Sequence, residues 1–470
     1  MSASISPTSA PAAPVPFSIR LGWGIGSLGV AILFNSYSAL LLFYLTNVVG
    51  LRLELAGLLI FIAKLYDAAI NVPVGIVSDR VRTRWGRRRP FFLAGAVLCS
   101  LWFVLMFHTT PAPAGEAPPS LAAWVLACLL LYATGYALFN VPYMAMPAEM
   151  SRDYNERTAI MSFRVIFIQV GNIIAVGLGP RIAQHFGGGL EGYAVVGWVL
   201  GLLTLITMIA CFFGTARART VERTEARFGA REQLRSALSN RPFLLLAAFK
   251  FLTLVSGATV FATLLFFVKN VLRLDQGVML WYTVGHAAAA FITVPLLWVP
   301  LAARIGKKAA MVIATLGFML VALSWMLAGP GEPTWIFALR AFLLGAFQAG
   351  KLLLGLTMLP DVMEYDSLRT GLRREGAYAG AYNVVEKAAF ALSPLVMTLI
   401  LAAFGYQESI DNRTVVQSAE AVFGIYLNIA IVPAACNLLA ALVLLRYDLT
   451  GEKLAAMRAQ AAHSGQVPAG

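Results

Sequence analysis

Residues Lys64 to Pro90 read KLYDAAINVPVGIVSDRVRTRWGRRRP, an apolar run that carries a lysine and a carboxylate and then breaks into a burst of arginines. The arginines can only stay in water, whereas the run before them has the character of a membrane helix. Lys64 and Asp67 stand three residues apart and so share a helix face, with Asn71 one turn beyond Asp67. An ionised carboxylate near the centre of a bilayer costs at least roughly 2.5 kcal/mol, so Asp67 is expected to face a cavity or a partner. The stretch therefore reads as an ion or substrate site. The plainer alternative is a Lys64/Asp67 pair that holds helices in register.

The rest of the chain supports a membrane setting. With 470 residues, 59% hydrophobic and 13% charged, it is too apolar for an ordinary soluble globule. Apolar runs of roughly 20 to 28 residues recur about twelve times, each long enough to cross roughly 30 Å of hydrocarbon. They fall near residues 20–49, 53–78, 90–110, 121–149, 158–183, 191–214, 242–270, 277–302, 309–329, 335–359, 377–403 and 419–446. The expected domains are an N-terminal tail (1–19), a six-helix bundle (20–214), a charged linker (215–241), a second six-helix bundle (242–446) and a C-terminal tail (447–470).

A net charge of +13 could point to nucleic acid, but most of the Lys and Arg fall in loops on one side of the membrane. With the N-terminus inside, the positive-inside rule holds at nearly every loop, so both tails are expected in the cytoplasm and nucleic acid is excluded as a partner. The opposite loop Pro111 to Ser120 carries neither Lys nor Arg. Cys99, Cys128, Cys211 and Cys436 lie within spans, with neither a disulfide framework nor metal-ligand spacing. The segment before Phe17 lacks a basic n-region, so no cleaved leader is expected. No nucleophile and base set, metal cluster or cofactor loop is evident, which argues against an enzyme and leaves cofactors and metals at none.

Two segments carry a resemblance. Asp67, Gly75, Ser78, Asp79, Arg80 and the run Arg84 to Pro90 fall in register with a second-helix motif and loop similar to those of the glycoside-pentoside-hexuronide:cation symporter family, within the major facilitator superfamily. In the other half, LPDVMEYDSLRTGLRREG from Leu359 to Gly376 resembles the family's second diagnostic run, with Asp361, Tyr365, Asp366, Arg369 and Arg373 to Gly376 matching. The resemblance implies an all-α membrane protein with twelve transmembrane helices in two pseudo-symmetric six-helix bundles, the major facilitator fold. An echo of the arginine loop at Arg304, Gly306, Lys307 and Lys308 fits such a repeat. The departures are Asn71 where the family has a second acid, the displaced Pro73, and Ala31 and Asn140 where a galactoside-binding member has acids.

The resemblance also distributes expected roles. Asp67, Asn71, Lys387 and Lys64 are assigned to cation coupling. Asn140, Arg164, Tyr382, Asn383 and Glu386 are assigned to substrate, with Trp335 a possible aromatic face. Arg164 needs an acceptor, and Asp67 is the most economical one in the first half. Lys387 and Glu386 point about 100° apart on their helix, so one of them, Lys387 first, should face the cavity. Gly75, Asp79, Arg80, Arg87, Arg88, Asp361 and Arg373 read as a conformational latch, in which acids accept arginines in one state and release them in another. Pro142 and Pro147 are expected to interrupt their helix. His286 reads as a neutral buried histidine.

The function expected is symport of a glycoside, oligosaccharide or related sugar, coupled to H+ or Na+, by a monomer in a bacterial inner membrane. With Asn71 in place of an acid, one carboxylate balanced by a lysine suits a proton better than sodium, which prefers several oxygen ligands. A transporter of lipids or amphiphiles, or a sensor that keeps the scaffold without transporting, are the alternatives. Gradient-driven uptake and counterflow in vesicles separate the three.

Overall fold

The computed structural model describes residues 15–111, 118–151, 154–218, 239–370, 375–449 and 451–463. Twelve of its helices are long and apolar enough to cross a membrane. In lipid a backbone N–H has no water to turn to, and a helix satisfies nearly all of its own. In chain order they are α1 (Phe17–Ala39), α2 (Leu53–Arg80), α3 (Arg89–Met106), α4 (Pro119–Met150), α5 (Ala159–His185), α6 (Leu190–Gly214), α7 (Arg241–Leu272), α8 (Gln276–Ile305), α9 (Lys307–Leu327), α10 (Thr334–Thr370), α11 (Glu375–Ala403) and α12 (Ala419–Leu445). A further helix, α13 (Gly451–His463), lies outside the spans. The even number of crossings returns the chain to the side it started from. The linker portion 219–238 and the latch residue Arg373 lie outside the described residues.

Three expectations change. The first span begins at Phe17, earlier than its apolar run implies. Helix α10 runs on to Thr370 with Pro360 inside it, so Asp361 and Asp366 sit on a helix and not in a loop after one. Pro142 and Pro147 do not interrupt α4, which is continuous from Pro119 to Met150. Packed neighbours hold such a helix together despite the missing N–H groups, because lipid offers the freed carbonyls nothing better. Elsewhere prolines do leave a mark. Pro295 sits inside a one-turn π segment of α8, and Pro180 and Pro433 are the second residues past such segments in α5 and α12. There the lost hydrogen bond and the ring's bulk locally widen the helix.

Packing repeats at an interval of six helices. In the first half α1 packs on α5 and α6, α3 on α4 and α6, and α2 on α4; in the second, α7 packs on α11 and α12, α9 on α10 and α12, and α8 on α10. Between the halves α2 meets α11, α5 meets α8 and α1 meets α7, so the first two contacts are copies of one another. Close approach depends on small residues: a Cβ on Gly22 would stand 2.7 Å from the Gly214 backbone, which is why α1 and α6 touch there. The Trp23 indole stacks on Tyr143 at 4.6 Å and donates to the Tyr143 carbonyl, which ties α1 to α4.

Candidate functional site

Charged side chains of α2, α7 and α11 gather, with aromatic rings of α1, in the middle of the bundle where α2 and α11 meet. The Lys387 ammonium donates to Asp67 Oδ2 at 3.1 Å and lies 3.3 Å from the Asp67 carbonyl. Among the described residues this is the one ion pair that joins the two halves. It is partly open, with Asp67 17% and Lys387 35% exposed. Asp67 Oδ1 is buried and has no hydrogen-bond partner. The Asn71 amide donates to the Asp67 carbonyl at 2.6 Å, so Asn71 is spent on its own helix one turn back.

Lys64 shares the face of Asp67 as its spacing requires, but does not pair with it. Its ammonium sits over the Tyr37 ring at 4.1 Å and near Phe34 at 5.2 Å, two rings of α1. Asp67 is taken by Lys387 because α11 presents an ammonium from across the interface, where no helical geometry limits the approach. Arg164 on α5 therefore does not find Asp67, and no hydrogen-bond or ion-pair partner of its guanidinium occurs among the described residues. Tyr136 of α4 stacks on Tyr132, which in turn stacks on Tyr37, one of the rings over which Lys64 sits.

Lys387 and Glu386 both engage charge, in different directions. Glu386 accepts from Lys250 of α7 at 2.9 Å, and the same ammonium lies 3.5 Å from the Tyr382 ring centre and bonds the Tyr382 carbonyl at 3.1 Å. Lys250 and Tyr136 escaped the sequence reading. A lone lysine inside LLLAAFKFLTLV was the available signal for the first; nothing distinguishes Tyr136 from the other aromatic residues of α4. Asn140 is half-buried and Asn383 exposed, neither bonded to the cluster. Trp335, 67% exposed at the start of α10, stands outside the cluster. His286 stacks on Tyr282 within the second half. A cavity of about 700 Å³ lies elsewhere, between the ends of α5 and α8.

At the arginine-loop end each half closes on itself. Arg88 pairs with Asp79 at 2.6 Å and with Glu149 at 2.8 Å, and Arg87 also pairs with Glu149, while Arg89 donates to the Phe212 carbonyl of α6. In the second half Lys307 pairs with Asp361 at 2.5 Å and Lys308 donates to the Leu445 carbonyl of α12. Gly86 and Gly306 both carry positive φ, at 93° and 85°. Both loops thus turn at a glycine of positive φ and reach corresponding partners, an acid of the fourth helix of the half and a carbonyl at the end of the sixth. Glu149 was not singled out from sequence. Arg80 is exposed and without an ion-pair partner among the described residues, and Gly75 has space around it.

The opposite end is tied across the halves. The Tyr406 hydroxyl donates to Asn47 Oδ1 at 2.8 Å and accepts from Asn270 at 3.2 Å. Ser409 bonds the Asn47 carbonyl, Asp411 receives the Leu190 N–H at 2.8 Å, and Asn412 bonds the Gly188 carbonyl. Apart from Lys387 to Asp67, the hydrogen bonds between halves among the described residues all lie at this end. The state is closed there and untied at the arginine-loop end.

The sequence pattern of a family described as MFS/sugar transport protein matches residues 22–451. The chain is 29% identical to the Glucuronide carrier protein homolog of Escherichia coli (strain K12), over 92% of this chain and 93% of that one. It is 24% identical to the Isoprimeverose transporter of Lactiplantibacillus pentosus, over 93% and 89%. The crystal structure of a D-xylose-proton symporter matches with a TM-score of 0.63 at 15% identity, covering 92% of this chain and 97% of that one, which speaks for the fold. The chain therefore belongs to the MFS/sugar transport family, within its glycoside-pentoside-hexuronide:cation symporter group, and is a membrane transporter.

Proposed function

We propose that this transporter is a proton-coupled symporter of a glycoside, oligosaccharide or uronide, working by alternating access with Asp67 as the coupling carboxylate. The observation that carries the reading is the ion pair from Asp67 to Lys387, which spans the two halves and leaves Asp67 Oδ1 unpartnered. Protonating Asp67 removes the charge that holds Lys387, so proton binding weakens the tie between α2 and α11 and changes which arrangement of the halves is favoured. Sodium needs several oxygens at once, whereas the Lys387 ammonium already occupies Oδ2 of this carboxylate and the Asn71 amide is turned to the backbone.

Solute recognition is assigned to Arg164, Lys250, Glu386 and Tyr382, with Asn140 and Asn383 as flanking amides. These groups offer charged donors, an acceptor and an aromatic face, which is what a polyhydroxylated ring requires. With the arginine loops in the cytoplasm, as the distribution of Lys and Arg favours, the state described is inward-facing. The ion pairs of Arg87, Arg88 and Lys307 then serve as the inner latch, released from one half and remade between halves when that end closes.

The test is uptake of labelled sugars into proteoliposomes under proton and sodium gradients imposed separately. A proton gradient should drive accumulation, and Asp67→Asn should abolish it while solute counterflow continues. Accumulation driven by sodium alone, or by protons equally in Asp67→Asn, refutes the coupling assignment.

A further inference from the structure

The cavity between the ends of α5 and α8 is not part of the central cluster, and its construction points to a ligand of its own. Its volume is about 700 Å³, and both halves line it: Arg181 and His185 come from α5, Asp275 and Trp281 from the start of α8. Arg181 lies in the last turns of the crossing that ends at His185, and Asp275 immediately precedes the one that starts at Gln276, which puts both charges towards the ends of their helices, where hydrocarbon gives way to headgroups. Trp281 is 58% exposed, the position of an interfacial anchor. Leu178, Ile182 and Val278 add apolar surface to the same wall.

The two charges do not satisfy each other. Among the described residues Arg181 has neither an ion-pair nor a hydrogen-bond partner, and Asp275 spends Oδ1 on the Gly277 N–H at 2.5 Å. A groove that sets a guanidinium, a carboxylate with an oxygen to spare, an exposed tryptophan and apolar side chains beside one another has the pattern of a site for a zwitterionic amphiphile.

We propose that this groove binds a phospholipid with a primary ammonium headgroup, phosphatidylethanolamine in chemical class, with its phosphate on Arg181, its ammonium on Asp275 and the upper acyl chain along Leu178, Ile182 and Val278. A guanidinium takes phosphate in a forked, charge-assisted geometry. The carboxylate supplies selectivity: a primary ammonium donates hydrogen bonds to it, a trimethylated one cannot, and an anionic glycerol headgroup is repelled. Because the walls belong to different halves, a bound lipid bridges α5 and α8 and favours the state closed at this end. The inference needs only the membrane setting, and stands or falls apart from the solute and the coupling ion.

The full chain is reconstituted in nanodiscs of phosphatidylethanolamine mixed with phosphatidylcholine, phosphatidylcholine alone, or phosphatidylcholine with phosphatidylglycerol. Retained lipid is counted by native mass spectrometry and the melting temperature recorded. The parent should retain phosphatidylethanolamine over phosphatidylcholine and melt higher with it. Asp275→Asn should abolish that preference while still retaining phospholipid, and Arg181→Gln should reduce retention of both. Equal retention of the lipids by the parent, a preference for phosphatidylglycerol, or a preference unchanged in Asp275→Asn overturns the proposal. Should Asp275→Asn fold poorly, the comparison of lipids in the parent and Arg181→Gln decides.

Discussion

Lys387 is the residue on which the largest number of relations turn, since it alone carries an ion pair across the interface of the halves among the described residues. Truncating it leaves a partly buried carboxylate without a counter-charge. The cost should fall between the ~1 kcal/mol of an exposed pair and the ~3–5 kcal/mol of a sealed one, because both partners keep some contact with solvent. Lys387→Ala is therefore expected to lower the melting temperature in detergent, and the double variant Asp67→Asn/Lys387→Ala to recover most of the loss. A double variant no more stable than Lys387→Ala would mean that the pair is not a stabilising unit. At this scale the sequence was informative about which residues are polar and less so about their partners. Asp67, Lys64, Lys387 and Glu386 were evident as charges inside apolar runs, but Lys64 went to the rings of Tyr37 and Phe34, and Glu386 to Lys250. Partners lie on helices brought together only by folding, and spacing along one helix cannot anticipate them.

The contact of α1 with α6 shows how elements were legible in part. The glycines of LGWGIGSLG signalled close packing, and Gly22 meets Gly214 backbone to backbone. A larger side chain has no flexible neighbour to displace, so Gly22→Val must push two helices apart at a cost of about 1–3 kcal/mol or more. The expected result is a lower melting temperature and loss of the monodisperse peak on gel filtration; an unchanged melting temperature would show that α1 and α6 separate freely. Helix ends were harder to read. Hydropathy placed the end of α10 near residue 359, whereas the helix continues to Thr370 as a polar extension. Hydropathy measures the thickness of lipid crossed, and hydrogen bonding alone decides where a helix stops.

Over the whole molecule, the closed end is held by a small number of polar ties, with Tyr406 between Asn47 and Asn270 the most central. Tyr406→Phe keeps the ring and removes the hydroxyl, and losing its bond to Asn47, the one of its two that crosses the halves, at about 1 kcal/mol shifts the ratio of closed to open states at this end by roughly five-fold. Thiol labelling of a cysteine placed at Asn383, in protein otherwise free of reactive cysteine, reads this out. Labelling from the closed end should rise in Tyr406→Phe, and unchanged access would remove the hydroxyl from the seal. The repeated loop turn supplies a parallel at the other end. Arg88 with Glu149, and Lys307 with Asp361, are the same device built twice, although the echo in sequence lacks the acid of the first copy. The acids come from α4 and α10, far along the chain, and only the repeated fold makes them equivalent.

By itself the sequence determined that the chain crosses a membrane twelve times, which loops carry the basic charge, and which family it joins. These follow from composition and local order, since the hydrocarbon layer selects helices long enough to cross it and most arginines stay outside it. The tertiary structure alone decided that Asp67 meets Lys387 across the halves, that Lys250 holds Glu386, that Tyr406 closes one end and that the arginine-loop end stays untied. Each depends on side chains more than a hundred residues apart reaching one another. Which of several charges wins a given partner is set by the distance between packed helices, a quantity that no linear pattern contains.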